Sequence, residues 1–346
     1  MSSRSELTPD GELRGWHDRP RRVLFLRDDR IGDMIASLAI IEAIGESPRV
    51  TVDVLASPSN ARLARGRPGI RDVLVKPHRS VLRSLPLYRE LRRRGYDAVI
   101  DGRVFVGAVS VRRRLLMRVT GARWRIGVAG RKGGGVYNVP VDIPDLPHWI
   151  DYIVELARPV GVKKGARDWR PRLVLTDEAR ATADDRWRQC PGDRPRVLVN
   201  LSAGSSDRRW PDDRWAALLQ HVRGRLPHAR VAIIGMPHDQ ASGEALAGIA
   251  DGAFLMIGLD DAMAMVATAD LLISPDTAIT HVASAFQKPT LTLLRRGFEK
   301  LVPYRTPGRN AYSDHDLHLR ELPAARVIRA FDEIDAELKL GLESAR

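Results

Sequence analysis

One cysteine, Cys190, is all the sequence offers, so no intramolecular disulfide can form and no cysteine-based zinc site can be assembled. That usage fits a reducing compartment. No stretch approaches the roughly 20 apolar residues needed to span a bilayer, and Met1 to Arg21 is polar and charged, without the apolar core of a signal peptide. The expected location is cytoplasmic, with any membrane contact peripheral. Aromatic residues make up only 5% of the chain, and no zinc finger, RNP-like aromatic strand or basic zipper is visible, so a non-enzymatic nucleic-acid binder would lack a recognition module. There is no G-x-x-x-x-G-K-[ST], and no G-x-G-x-x-G follows the first apolar run, which argues against a P-loop ATPase and a dinucleotide oxidoreductase. No histidines fall at metal-ligand spacing, and the acidic pairs Asp28-Asp29 and Asp260-Asp261 read as solvated loop charge. Neither a metal nor a cofactor is expected.

What is present suits a folded protein of two parts. A length of 346 residues exceeds one ordinary core, and 44% hydrophobic with 29% charged residues lies in the globular range. The net charge of +13 is unevenly spread: residues 1–170 hold 33 Lys+Arg against 19 Asp+Glu, and residues 171–346 hold 23 against 24. Such asymmetry directs the first half toward an anionic partner, although arginine is abundant in both halves.

Short apolar runs alternate with helical periodicity. Strands are predicted at 23–26, 50–55, 73–75, 98–100 and 126–128, with helices beginning near Ile35 and ending at Gly45, then over 84–94, 106–119 and 148–160. The polar, glycine-bearing stretch 161–165 reads as a linker. After it come strands 197–199, 231–234, 271–274 and 290–294, interleaved with helices 212–226, 240–249 and 277–286, and a last helix near 324–340. The pattern predicts an α/β protein of two doubly wound domains, 1–165 and 166–346, with the last helix free to pack on either.

In open parallel sheets ligands collect where loops leave the carboxyl ends of the strands. Three such loops carry chemistry. In Arg27-Asp28-Asp29-Arg30-Ile31-Gly32-Asp33, Gly32 permits a tight turn and Asp33 stands at a helix entrance, where it can accept a proton or simply cap the helix. The loop from Asn200 to Pro211 combines Ser205 and Ser206 with Arg208 and Arg209, the hydroxyl and guanidinium groups a diphosphate requires, though Ser/Gly loops also serve as plain connectors. In Ser274-Pro275-Asp276-Thr277-Ala278-Ile279-Thr280-His281 the start of another helix offers an anion site, with Asp276 as a cap and His281 as an ordinary helix residue in the competing view. Two arginine clusters, Arg89 with Arg92 and Arg93, and Arg112 with Arg113, Arg114 and Arg118, suit an anionic ligand or a solvated basic face.

Together the three loops resemble glycosyltransferase family nine, the bacterial lipopolysaccharide heptosyltransferases. Arg27 to Asp33 resembles the family pattern ending Gly-Asp, Arg208-Arg209-Trp210-Pro211 its Lys-Arg-Trp-Pro stretch, and Ser274 to Pro289 its Asp-Thr-Gly-x-x-His-x-Ala-x-x-x-x-x-Pro motif. The chain departs in having Arg208 for lysine, which keeps the charge and gains a planar fork, and Ala278 for glycine, which adds a methyl group at a backbone approach to the diphosphate. The resemblance implies the GT-B fold, with two Rossmann-like domains facing a central cleft, and inverting transfer without a metal. It makes Asp33 the general base, and it assigns the donor diphosphate to Ser205, Ser206, Arg208, Asp276, Thr277, Ala278 and His281. Met236 and Asp239 would lie near the nucleotide. Arg30, Arg112, Arg113 and Arg131 would hold an anionic glycolipid acceptor at the cytoplasmic side of the inner membrane. The implied donor is ADP-heptose. A nucleotide-sugar epimerase of the same fold is the enzymatic alternative.

Overall fold

In the computed structural model, described over residues 6–76, 82–104 and 107–340, the chain forms two compact units, Met1–Trp169 and Arg170–Arg346. The division falls after Trp169, which is buried and whose indole N–H donates to the Lys164 carbonyl at 2.7 Å.

The first unit runs β1 (Arg21–Arg27), α1 (Ile31–Glu46), β2 (Val50–Ala56), α2 (Ala61–Ala64), β3 (Ile70–Val75), α3 (Leu85–Arg93), β4 (Ala98–Asp101), α4 (Val111–Val119), β5 (Trp124–Val128), β6 (Val139–Val141) and α5 (Trp149–Ala157). All six strands are parallel, in the order β3-β2-β1-β4-β5-β6. Strands covered by helices on both faces must be apolar throughout, which is why β1 reads Val-Leu-Phe-Leu without alternation. Leu24, Leu26, Leu55 and Val99 pack on one face with Tyr88 and Leu91 of α3 and Leu116 and Met117 of α4. Ahead of β1, buried Trp16 packs edge-on against Trp124, with the Arg21 guanidinium over both rings.

The second unit repeats the scheme with α6 (Asp177–Arg188), β7 (Arg196–Asn200), α7 (Asp212–Arg225), β8 (Arg230–Ile234), α8 (Gln240–Ala250), β9 (Ala253–Leu255), α9 (Leu259–Thr268), β10 (Leu271–Pro275), α10 (Ala278–Phe286), β11 (Thr290–Leu294), β12 (Gly308–Tyr312) and α11 (Ala324–Leu338). Its parallel sheet has the order β12-β11-β10-β7-β8-β9. Val327, Phe331 and Ile334 place the final helix on the core of this unit, with Trp215 and Leu218 of α7.

Several boundaries differ from the sequence expectation. The helix expected over 106–119 begins at Val111, capped by the Ser110 hydroxyl, and residues 105–106 lie outside the described ones. Gly45 does not stop α1, which continues to Glu46. Its role is steric: a Cβ there would lie 1.9 Å from the Gly69 carbonyl oxygen, and Gly69 itself has φ +74°. Backbone cannot yield as a flexible side chain can, so the close approach of α1 to the turn before β3 requires the missing side chain. Gly45→Ala should destabilise the first unit by about 2–3 kcal/mol, read as a lowered midpoint in chemical denaturation.

Candidate active site

In both sheets the strand order reverses once, between β1 and β4 and between β7 and β10. At such a reversal the flanking loops diverge and leave a crevice beyond the carboxyl ends of the strands. All three loops singled out from the sequence leave strands at these two places.

In the first unit, β1 ends at Arg27, whose side chain turns inward and is 1% exposed. Its Nε donates to the Asp33 carbonyl at 3.0 Å and to the Ser37 hydroxyl at 2.8 Å, and its Nη1 donates to Asp29 Oδ2 at 3.2 Å. The guanidinium also lies over the Trp149 ring. From the other side, buried Asn60 donates to the carbonyls of Arg27 at 2.9 Å and Arg30 at 3.3 Å. The turn is therefore clamped twice. Asp33 is the third residue of α1, and the cap position is Arg30, whose side chain makes no capping bond. Asp33 is not the cap, and its carboxylate sits half-buried in the first turn, near the positive end of the helix dipole.

Beside this turn lies a charge cluster that the sequence did not reveal. Asp101, the last residue of β4, is fully buried and receives the Tyr137 hydroxyl at 2.8 Å. Three guanidinium groups surround it: Arg103 at 3.3 Å, Arg113 at 3.8 Å and Arg131 at 3.9 Å. Arg113 also donates to Asp28, which pairs with Lys76 at 2.9 Å. Burial by itself would raise both carboxyls, but the adjacent cations outweigh it, lowering Asp101 and holding Asp28 at about 2. Asp29 moves the other way, raised by burial and by the neighbouring Asp33 and Asp28 against the pull of Arg27. Four cations thus face two carboxylates around Asp101 and Asp28. Arg103 Nη2, Arg113 Nη1 and Arg131 Nη2 are buried with no hydrogen-bond acceptor among the described residues. Buried N–H groups carrying surplus positive charge are a strong site for an anion.

The expected acceptor residues divide accordingly. Arg113 and Arg131 meet at Asp101, Arg30 stands exposed at the entrance to α1, and Arg112 lies on the outer face of α4, away from this cluster. The sequence could have flagged Asp101 as a carboxylate closing an apolar strand, and Arg103 two residues on. Nothing in the sequence pattern distinguished Arg113, facing inward, from its neighbour Arg112.

In the second unit, Arg208 joins two loops. Its Nη1 donates to the Asp276 carbonyl at 2.9 Å and its Nε to the Ser205 hydroxyl at 3.1 Å, with the Asp276 carboxylate 3.8 Å away. Asn200, at the end of β7, reinforces the junction by donating to Ser274 at 3.0 Å and Thr277 at 3.2 Å. The cap of α10 is Thr277, whose hydroxyl accepts from the Ile279 N–H, and not Asp276. The first amides of α10, from Ala278 onward, are oriented along the helix axis and out of its N-terminus. Ser205, Arg208, Asp276, Thr277 and Ala278 are thus brought together, while Ser206 is exposed beside them and His281 is buried in the body of α10.

Arg209 extends the same surface, pairing with Asp239 at 2.6 Å. The other oxygen of that buried carboxylate accepts the Met236 N–H at 2.9 Å, so Asp239 holds its own loop closed. Met236 remains half exposed at 51%. Arg295, unremarked in the sequence, donates to Asp207 next to Arg208.

A model of glycosyltransferase family 9 (heptosyltransferase) matches residues 84–323. Lipopolysaccharide heptosyltransferase 1 of Escherichia coli strain K12 is 25% identical over 293 residues, covering 79% of this chain and 87% of that protein. The glycosyl transferase family 9 structure from Veillonella parvula superposes with a TM-score of 0.75 at 15% identity, over 92% of this chain and 98% of that one. E. coli heptosyltransferase WaaC with ADP superposes with a TM-score of 0.67 at 20% identity, over 93% and 99%. These likenesses establish the GT-B architecture of two Rossmann-like domains.

Asp28 carries a pH signature. Its folded carboxyl lies below the ordinary value of 3.8, at about 2, so it contributes stability above that ordinary value and loses it as the pH falls toward 2. Asp28→Asn should cost the first unit on the order of 2–3 kcal/mol at pH 7, a difference that shrinks between about pH 4 and pH 2 in denaturant titrations.

Proposed function

The chain belongs to glycosyltransferase family 9, and from that membership we propose that it transfers a heptose from ADP-heptose to an anionic acceptor of the lipopolysaccharide core, inverting the anomeric carbon with Asp33 as general base. The observation that carries the acceptor side is the surplus of buried, unsatisfied guanidinium N–H groups around Asp101, one loop away from Asp33. An acceptor carboxylate or phosphate seated on Arg103, Arg113 and Arg131, with Arg30 at the rim, would present a hydroxyl to Asp33. Arg27 and Ser37 fix the backbone of Asp33, so the carboxylate is aimed before substrate arrives.

On the donor side, the diphosphate takes the Ser205 and Ser206 hydroxyls, Arg208 and the first amides of α10 at Thr277 and Ala278. These groups stand where negative charge grows as the leaving nucleotide departs, which is where electrostatic stabilisation lowers the barrier most. Asp276 and His281 support this loop and helix, and Met236 offers an exposed thioether on which a planar base can pack. In this reading the second unit carries the donor and the first the acceptor. The acceptor hydroxyl attacks the face opposite the leaving group, its proton passes to Asp33, and the configuration inverts.

Asp33→Asn should lower transfer about 10²- to 10⁴-fold while leaving unchanged the thermal stabilisation that ADP gives. Wild-type turnover in that variant would remove Asp33 from the chemistry. Stabilisation by ADP but not by GDP or UDP is the expected pattern in a thermal-shift series. An altered donor or free sugar released without acceptor would point instead to epimerase chemistry. Arg131→Ala should raise the acceptor KM about tenfold or more and spare the donor KM, measured in steady-state kinetics.

A further inference from the structure

Helices α3 and α4 lie side by side over one face of the first sheet, and their outward surfaces are unusual. Leu85, Val111 and Leu115 are exposed at 40%, 69% and 38%. Between the helices runs an open, largely apolar groove of about 610 Å³, lined by Leu85, Tyr88 and Leu115 and by the stems of Arg89, Arg92 and Arg118. Glu90 is the only acidic residue on either helix, and Arg93 and Arg94 consume it. Among the described residues, Arg89, Arg92, Arg112 and Arg118 have no carboxylate partner, and all four are exposed.

On α3, positions 85, 89 and 92 follow one another at intervals of four and three, and on α4 positions 111, 115 and 118 do the same. Each helix therefore presents a stripe that mixes apolar residues and arginine, Leu85 followed by Arg89 and Arg92 on α3, and Val111 and Leu115 followed by Arg118 on α4. Isolated exposed leucines need no explanation, but three exposed apolar side chains on two adjoining helices, framed by guanidinium groups without a carboxylate partner among the described residues, do. Long arginine side chains can hold their charge at phosphate level while their methylenes extend the apolar surface, which matches the boundary between lipid headgroups and acyl chains.

We propose that the α3–α4 face is a membrane-docking surface that binds the headgroup region of an anionic phospholipid bilayer. Charge complementarity selects this occupant: the face is positive without compensation, and an anionic leaflet attracts each such cation. Nucleic acid would satisfy the charge but leave Leu85, Val111 and Leu115 in water. The surface is separate from the Asp101 cluster and does not depend on the transfer reaction.

The test is co-sedimentation of the full chain with phosphatidylethanolamine vesicles containing about a quarter phosphatidylglycerol, against phosphatidylcholine vesicles as the neutral control. Binding should require the anionic lipid and weaken as salt rises. Arg89→Gln with Arg118→Gln should lower the partition coefficient roughly 30-fold, and Leu85→Ser with Leu115→Ser about tenfold, with the ADP thermal shift unchanged in both, which shows that the variants remain folded. Failure of the wild-type chain to bind anionic vesicles, undiminished binding by both double variants, or equal binding to neutral vesicles would each overturn the proposal. Binding to duplex DNA or polyglutamate without binding to vesicles would overturn it as well, in favour of a soluble polyanion. None of these outcomes bears on whether the chain transfers heptose.

Discussion

A doubly wound sheet reverses its strand order once, and the two loops flanking that reversal leave for opposite faces. That constraint places the main candidate site residues of this chain. In the first unit it sets Asp33 after β1 beside Asp101 at the end of β4, and in the second it sets Arg208 after β7 beside Thr277 after β10. The loops are free to vary because the hydrogen-bonded sheet beneath them is not.

The price of an electrostatic site inside such a frame is visible in its partners. Arg27, Arg113 and Asp101 are each nearly or fully buried, and each is surrounded by opposite charge or polar backbone. Removing one member of such a set leaves its partner uncompensated, at a cost of several kcal/mol, whereas the intact set roughly balances desolvation. Arg27 shows that such a set also fixes local geometry. Its hydrogen bonds converge on the carbonyl of Asp33 and on Ser37, which fixes one turn of one helix. That is orientation more than cohesion.

How much could be read from the sequence follows from which residues announce themselves through pattern. Buried central strands did, because Val23 to Leu26 and Leu271 to Ile273 are continuous apolar runs. The edge strands β6, β9 and β12 did not, since an edge carries Pro140 or the polar Arg309 and Asn310 without penalty. Helix α6 escaped for a related reason: only Ala183 and Trp187 of its twelve residues are buried, too few for a visible period. Among candidate site residues, those in loops after apolar strands could be picked out from the sequence, as Asp33 and Arg208 were. Asp101, Arg103 and Tyr137 were not, because their meeting is a product of tertiary packing. Arg112 and Arg113 are adjacent and chemically identical, yet one faces solvent and the other a buried carboxylate.

The positive charge on α3 and α4 is supplied by arginine alone, with no lysine or histidine on either helix. Guanidinium groups do not titrate in any physiological range, and they are not substrates for the acetylation that silences lysine. The electrostatics of that face are therefore permanent. A change in how strongly it holds its counter-charge must come from outside the chain, through ionic strength or the composition of whatever it meets.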